Sequence, residues 1–232
     1  MARTVKPEEF AAKRGAILDA AQRLVLTKGY EQMSLQDVLS ELNISGGAFH
    51  HYFDSRAALL EALIERIRQE SEKPLLPILH DPTLTAIQKL QGFFDTLDRM
   101  RIERKHAVIA LGRVWYTDAN AVVRQKVDEA VREQRAPLLT EIVRQGIREG
   151  VFTTALPDQS GDVLVSLLQG MGNAHARMLF AFVEQRSAEE IVATHHAYMD
   201  AIERVLGAPA NAFYRADAEA VKVWLNALKE EA

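Results

Sequence analysis

The chain has no cysteine. This excludes disulfide bridges, thiolate nucleophiles and cysteine-based zinc sites together. It also lacks any run of eighteen apolar residues, so no transmembrane helix is expected. The opening "MARTVKPEEF" has none of the apolar core of a secretory signal, which points to a cytoplasmic protein. Strand signals are scarce: no Val/Ile/Thr-rich alternating run is bounded by tight-turn dipeptides. No paired carboxylates or nucleophile–base set stand out in the motifs, so neither a catalytic group nor a cofactor is assigned. Charge of one sign is lacking too. The net charge is −4, and residues 1–56 balance seven Lys/Arg (3, 6, 13, 14, 23, 28, 56) against seven Asp/Glu (8, 9, 19, 31, 37, 41, 54). A neutral segment of this kind binds nucleic acid only if its charges are sorted onto one face.

What the sequence does have is apolar residues at helical spacing, in a chain whose hydrophobic fraction is 48%. An all-α fold follows. A first helix starts near Pro7, with Glu8 and Glu9 suited to the positive end of its dipole, and stops at Gly29. A second begins at Ser34, with Asp37 three residues on, and ends at Asn43. Ser45 caps a third, over about 46–52, and Asp54 or Ser55 caps a fourth that Pro74 and Pro77 terminate. Asp81 with Pro82 is read as the start of the next helix. A long helix, or two abutting ones kinked at Pro137, follows and ends at Gly150. A helix apolar nearly all round, about 158–184, one with two apolar faces, about 187–207, and a last amphipathic one complete the chain.

The stretch that carries chemistry is "ELNISGGAFHHYFDSR", residues 41–56. The glycine pair follows a short helix rather than a strand and lacks the Lys-Ser/Thr of a nucleotide loop. Adjacent histidines on a helix diverge by about 100°, which argues against a shared metal. Two helices joined by a three- to four-residue turn form a helix-turn-helix arrangement. In it Gly46 and Gly47 let the backbone approach a duplex closely. Ala48 suits a thymine methyl, and His50 and His51 suit base edges or phosphates.

Residues 10–60 resemble the N-terminal domain of the tetracycline-repressor (TetR) family of bacterial transcription regulators. The resemblance rests on Gly29-Tyr30 at the end of helix 1, Ser34 opening helix 2, and Arg56 opening helix 4. The turn and recognition helix of the family, of the form "GVSxGxxYxHF", is "NISGGAFHHYF" here, with Ile44, Ser45, Gly47 and Phe53 in place. His50 replaces the usual tyrosine, and Gly46 the usual polar residue. The resemblance implies a helix-turn-helix DNA-binding domain at 1–54 and a helical effector-binding and dimerisation domain at 55–232. It implies DNA contacts at Lys6, Ser34, Gln36, Ser45, Gly46, Gly47, Ala48, His50, His51, Tyr52 and Arg56, with Arg3 also on the N-terminal arm.

It further implies a homodimer on a palindromic double-stranded operator, released when a small molecule binds between the C-terminal helices. The dimer is expected through the two long helices at about 158–184 and 187–207. Candidate pocket residues are Phe94, His106, Arg113, Trp115, Tyr116, Met171, Asn173, His175 and Met178, an apolar wall with a few polar contacts. Gly170 and Gly172 permit close helix approach or a cavity. Two alternatives stand: a helical small-molecule-binding protein without DNA activity, and an all-α metalloenzyme using His195, His196 and Asp200.

Overall fold

A computed structural model describes residues 7–180 and 187–230. Among these, all regular structure is helical: α1 (Pro7–Lys28), α2 (Leu35–Leu42), α3 (Gly46–His50), α4 (Arg56–Glu72), α5 (Leu76–Leu79), α6 (Ala86–Glu103), α7 (Lys105–Trp115), α8 (Ala121–Arg148), α9 (Pro157–Phe180), α10 (Ala188–Leu206) and α11 (Ala218–Glu230). A short 3-10 turn, Asp118–Asn120, precedes α8. No helix among the described residues is long and apolar enough to cross a membrane.

Side-chain caps set most boundaries. Ser34 and Asp37 form a complete capping box at α2, and Ser45 caps α3 by accepting from the Ala48 amide. Ser55 accepts from the Ala58 amide at the start of α4, and Ser187 with Glu190 caps α10. Each such cap contributes about 1 kcal/mol. Asn43 ends α2 in the left-handed conformation, at φ 52°.

Of the two readings of the long helix, the single one holds: α8 is one continuous element spanning Pro137. Three details differ from the sequence expectation. The helix expected at Asp81 starts at Ala86, where Thr85 and Gln88 form a capping box. Asp81 instead accepts from the Thr83 amide at 2.8 Å and closes a local turn. The helix α3 is shorter, ending at His50. A short helix, α5, lies between Pro74 and Asp81, where only a helix end was expected.

The chain divides into two compact units, 1–69 with 113–127, and 70–112 with 128–232. The core of the first is Ile17, Leu18, Leu24, Val25, Val38, Phe49, Phe53, Leu59 and Leu63 with their neighbours. This is the helical spacing of α1, α2 and α4 closing on two aromatic anchors from the α3 region. The core of the second gathers Leu90, Phe93, Leu139, Val143, Phe152, Leu164, Met199 and Ile202. A buried ion pair, Arg135 to Glu72 at 2.6 Å, joins α8 to the end of α4 within this unit. Another, Arg215 to Glu203, stands beside the 207–217 segment. Glu203 also accepts from the Asn211 amide at 3.1 Å, which shapes that segment after α10.

Residues 113–127 belong to the first unit, and the fully buried Asn120 ties them to it. Its Oδ1 accepts from the Tyr30 amide at 2.8 Å. Its Nδ2 donates to the carbonyls of Val25 and Val114, both at 3.2 Å. One side chain thereby satisfies the end of α1, the turn after it and the end of α7. Gly29 completes the junction: it has φ +83°, and a Cβ there would stand 2.5 Å from the Ala119 Cβ. Replacing Asn120 by alanine removes the acceptor of the part-buried Tyr30 amide and two further hydrogen bonds. We expect Asn120→Ala to lower unfolding stability by about 2 kcal/mol, read by urea denaturation.

Candidate nucleic-acid interface

The interface is built from its cap outward. Asn43 turns the chain after α2, Ile44 packs into the core of the first unit, and Ser45 starts α3. Phe49 and Phe53 are 0% and 4% exposed, with ring centroids 5.8 Å apart. They hold the inner face of the α3 region. The outer face is left to Ser45, Gly47, Ala48, His50 and His51, all exposed, and to the half-buried Gly46. The His50 ring stands edge-on to Phe49 at 5.4 Å, and His51 edge-on to Phe10 at 5.6 Å. Each imidazole is thus steadied by an aromatic neighbour while remaining open to solvent.

The glycines add a telling negative. A Cβ placed on Gly46 would meet nothing within 4 Å, and one on Gly47 would meet only Ser45 Oγ at 3.9 Å. Neither has a positive φ. The fold therefore does not require glycine at either position, and helix propensity alone disfavours it by about 0.5–1 kcal/mol against alanine.

The other sequence candidates fall in different settings. The Ser34 hydroxyl is engaged with Asp37 in the capping box. Lys28, 2.7 Å from Asp37, together with Ser34 holds that carboxyl well below the usual carboxylate range. Gln36 is exposed on α2 and donates to Ser40 at 3.2 Å. Tyr52 is half-buried against the Phe10 ring, with centroids 4.8 Å apart. Arg56 turns toward Tyr30: its guanidinium lies 4.1 Å from the ring centroid and donates to the Tyr30 carbonyl. That fastens α4 to the same turn that Asn120 holds. Lys6 and Arg3 lie outside the described residues.

The pocket candidates are divided between the units. Arg113, Trp115 and Tyr116 belong to the first, where Arg124 donates to the Trp115 carbonyl at 2.6 Å and covers the Tyr116 ring. Phe94, His106, Met171, Asn173, His175 and Met178 belong to the second. There Phe94 packs edge-on to Phe213 at 5.4 Å. His106, exposed, stands 4.0 Å from Glu230. Gly170 accommodates the Tyr198 ring, whereas a Cβ on Gly172 would meet open space.

The His195, His196 and Asp200 set does not converge. His196 Nε2 pairs with the Ala216 carbonyl at 2.9 Å, and Asp200 with Arg204 at 2.8 Å. His195 turns inward and stacks on His175, with centroids 5.7 Å apart and planes within 10°. Sequence adjacency hid this pair, because its members are twenty residues apart on different helices.

Residues 17–63 match the family model described as bacterial regulatory proteins, tetR family. Residues 17–63 thus form a domain of the tetR-family type. Among curated relatives, the HTH-type transcriptional repressor DhaR of Mycobacterium sp. (strain GP1) is 18% identical, over 68% of this chain and 79% of that protein. The HTH-type transcriptional regulator TtgR of Pseudomonas putida is 24% identical, over 67% of this chain and 88% of that one. A TetR-family transcriptional regulator from Pectobacterium atrosepticum has the same fold, with a TM-score of 0.60 and 19% identity, over 88% of this chain and all of that one. The chain is thus a DNA-binding transcription regulator with an N-terminal helix-turn-helix and a helical C-terminal part.

Burial lowers the pKa of both His175 and His195 to about 4, with further lowering from Arg101 for each and from neighbouring His175, His196 and Arg215 for His195. Between pH 6.5 and about 4 the unfolded chain therefore takes up protons that the folded one refuses. Stability from this source is intact above pH 6.5 and falls as the pH drops. We expect a loss of about 1–2 kcal/mol per imidazole, discounted for partial solvent access. Denaturation midpoints of the wild type and of a His175→Gln, His195→Gln variant at pH 7 and 5 should show a smaller pH dependence in the variant.

Proposed function

We propose that this regulator is a homodimeric repressor that binds a palindromic operator through the outer face of α3 and leaves it when a small molecule enters the helical C-terminal part. The observation that supports this most is the Gly46-Gly47 pair, which internal packing does not demand. Bare backbone, a small Ala48 and two solvent-facing imidazoles suit close approach to a major groove. Ser45, Gln36 and Tyr52 flank the contact. Ser34 and Arg56 hold the turn that positions α3, and Lys6 adds a phosphate contact from the arm. The part that binds DNA is 1–54, and the part that dimerises and binds effector is 55–232.

Dimerisation through α9 and α10 is supported by their outer faces. On α9 Val163 is 41% exposed, and on α10 Ala193 and Ala197 form an exposed, small-residue ridge four residues apart. Two copies would then present their α3 segments to successive grooves, about 34–36 Å apart or a multiple of it. An effector releases DNA only by binding the DNA-incompetent spacing more tightly. The name of the DhaR relative as a repressor favours this sign of regulation.

The test is fluorescence anisotropy on DNA from upstream of the protein's own gene. Gly47→Ala and Gly47→Leu should fold with unchanged or slightly greater stability yet bind at least about tenfold more weakly, a loss near 1.4 kcal/mol. A Gly47→Leu protein with wild-type DNA affinity would overturn the placement of α3 on the duplex.

A further inference from the structure

The second unit contains a polar feature that the fold itself does not use. His195 Nε2 and His175 Nε2 are both buried and have no hydrogen-bond partner. His195 is 8% exposed, whereas His175 is only half-buried. An unmatched buried polar atom costs on the order of 1–3 kcal/mol, and two side by side are a recurrent cost with no structural return. Helical spacing surrounds the pair with flexible apolar groups. Met171 and Met178 flank His175 on α9, and Ile191 and Met199 flank His195 on α10. Thioethers adapt their shape and pack well against aromatic rings.

We propose that the His175–His195 pair is the hydrogen-bonding floor of the effector site and selects an uncharged aromatic molecule that bears a hydroxyl. The inference rests on the effector-binding reading above and gives it a chemical class. A hydroxyl both donates and accepts, so it satisfies an imidazole Nε2 in either tautomer. A carboxylate fits less well, because no positive charge sits on the pair to meet it. The charged groups facing it are few. Arg101 of α6 is opposed by Asp98 at 3.5 Å. Arg215, after α10, is taken by Glu203. His196, on α10 itself, pairs with the Ala216 carbonyl. The half-buried edge of His175 is where a ligand reaches the pair.

Isothermal titration of the full chain with 4-propylphenol, propylbenzene and 4-propylbenzoate tests this. The phenol should bind at least about tenfold more tightly than either of the others. Its affinity should be flat between about pH 6 and 8, since neither partner titrates there. His175→Leu and His195→Leu should erase the preference for the phenol, and the corresponding glutamine variants, which retain a donor and an acceptor, should keep part of it. Equal binding of propylbenzene and the phenol overturns the proposal. So does a benzoate that binds best and tightens as pH falls, or no binding by the phenol up to millimolar concentration. Anisotropy with operator DNA on the same wild-type preparation separates the two readings: a chain that binds DNA but ignores the phenol refutes this inference and leaves the regulator intact.

Discussion

The three hydrogen bonds of Asn120 are the constraint on which the first unit depends. A single buried amide closes the end of α1, the Gly29-Tyr30 turn and the end of α7. Arg56 then packs on the face of Tyr30 and brings α4 to the same point. The α3 region hangs from this frame through Phe49 and Phe53, which leaves its outer face free of structural duty. A helix of five residues has little stability of its own. It holds its shape because its cap, its anchors and the turn before it are each fixed by a different interaction.

The same division of labour runs through the site chemistry. Residues that position α3 are buried or bonded: Ser34 in its box, Arg56 on Tyr30, Tyr52 on Phe10. Residues that face outward have side chains small enough, or polar enough, to meet another surface. The second unit follows the opposite pattern at His175 and His195, where polar groups point inward without partners. In the proposed function the first arrangement meets DNA and the second a small molecule, the two ligands whose binding an allosteric regulator couples.

Much of this was legible in the sequence. Ser34, Ser45 and Ser55 announced helix starts because a capping hydroxyl acts locally, within three residues. Gly29, Asn43 and Gly150 announced ends for the same reason: φ is positive at each. The Asp81 start was misread because Asp81-Pro82 competes with the Thr85–Gln88 box four residues on, and reciprocal bonds outrank a single cap. The family motif located the outer face of α3 because its spacing is contiguous. What the sequence hid was non-local. Asn120 looks like an ordinary turn residue in "TDAN", and its partners Val25 and Tyr30 lie ninety or more residues away. His195 was grouped with His196 and Asp200 by adjacency, whereas helix geometry sends the three in different directions.

Segment 113–127 is held by chain order to one unit and by packing to the other. It is joined in sequence to helices of the second unit, yet its buried amide belongs to the first. Native-state hydrogen exchange across a denaturant series reads this directly, since amides that open together share one free energy. The Tyr30 amide, the buried half of α1 and residues 113–127 should converge on a single opening event. If 113–127 instead opens with the later turns of α8 while Tyr30 remains protected, Asn120 does not bind that segment into the first unit.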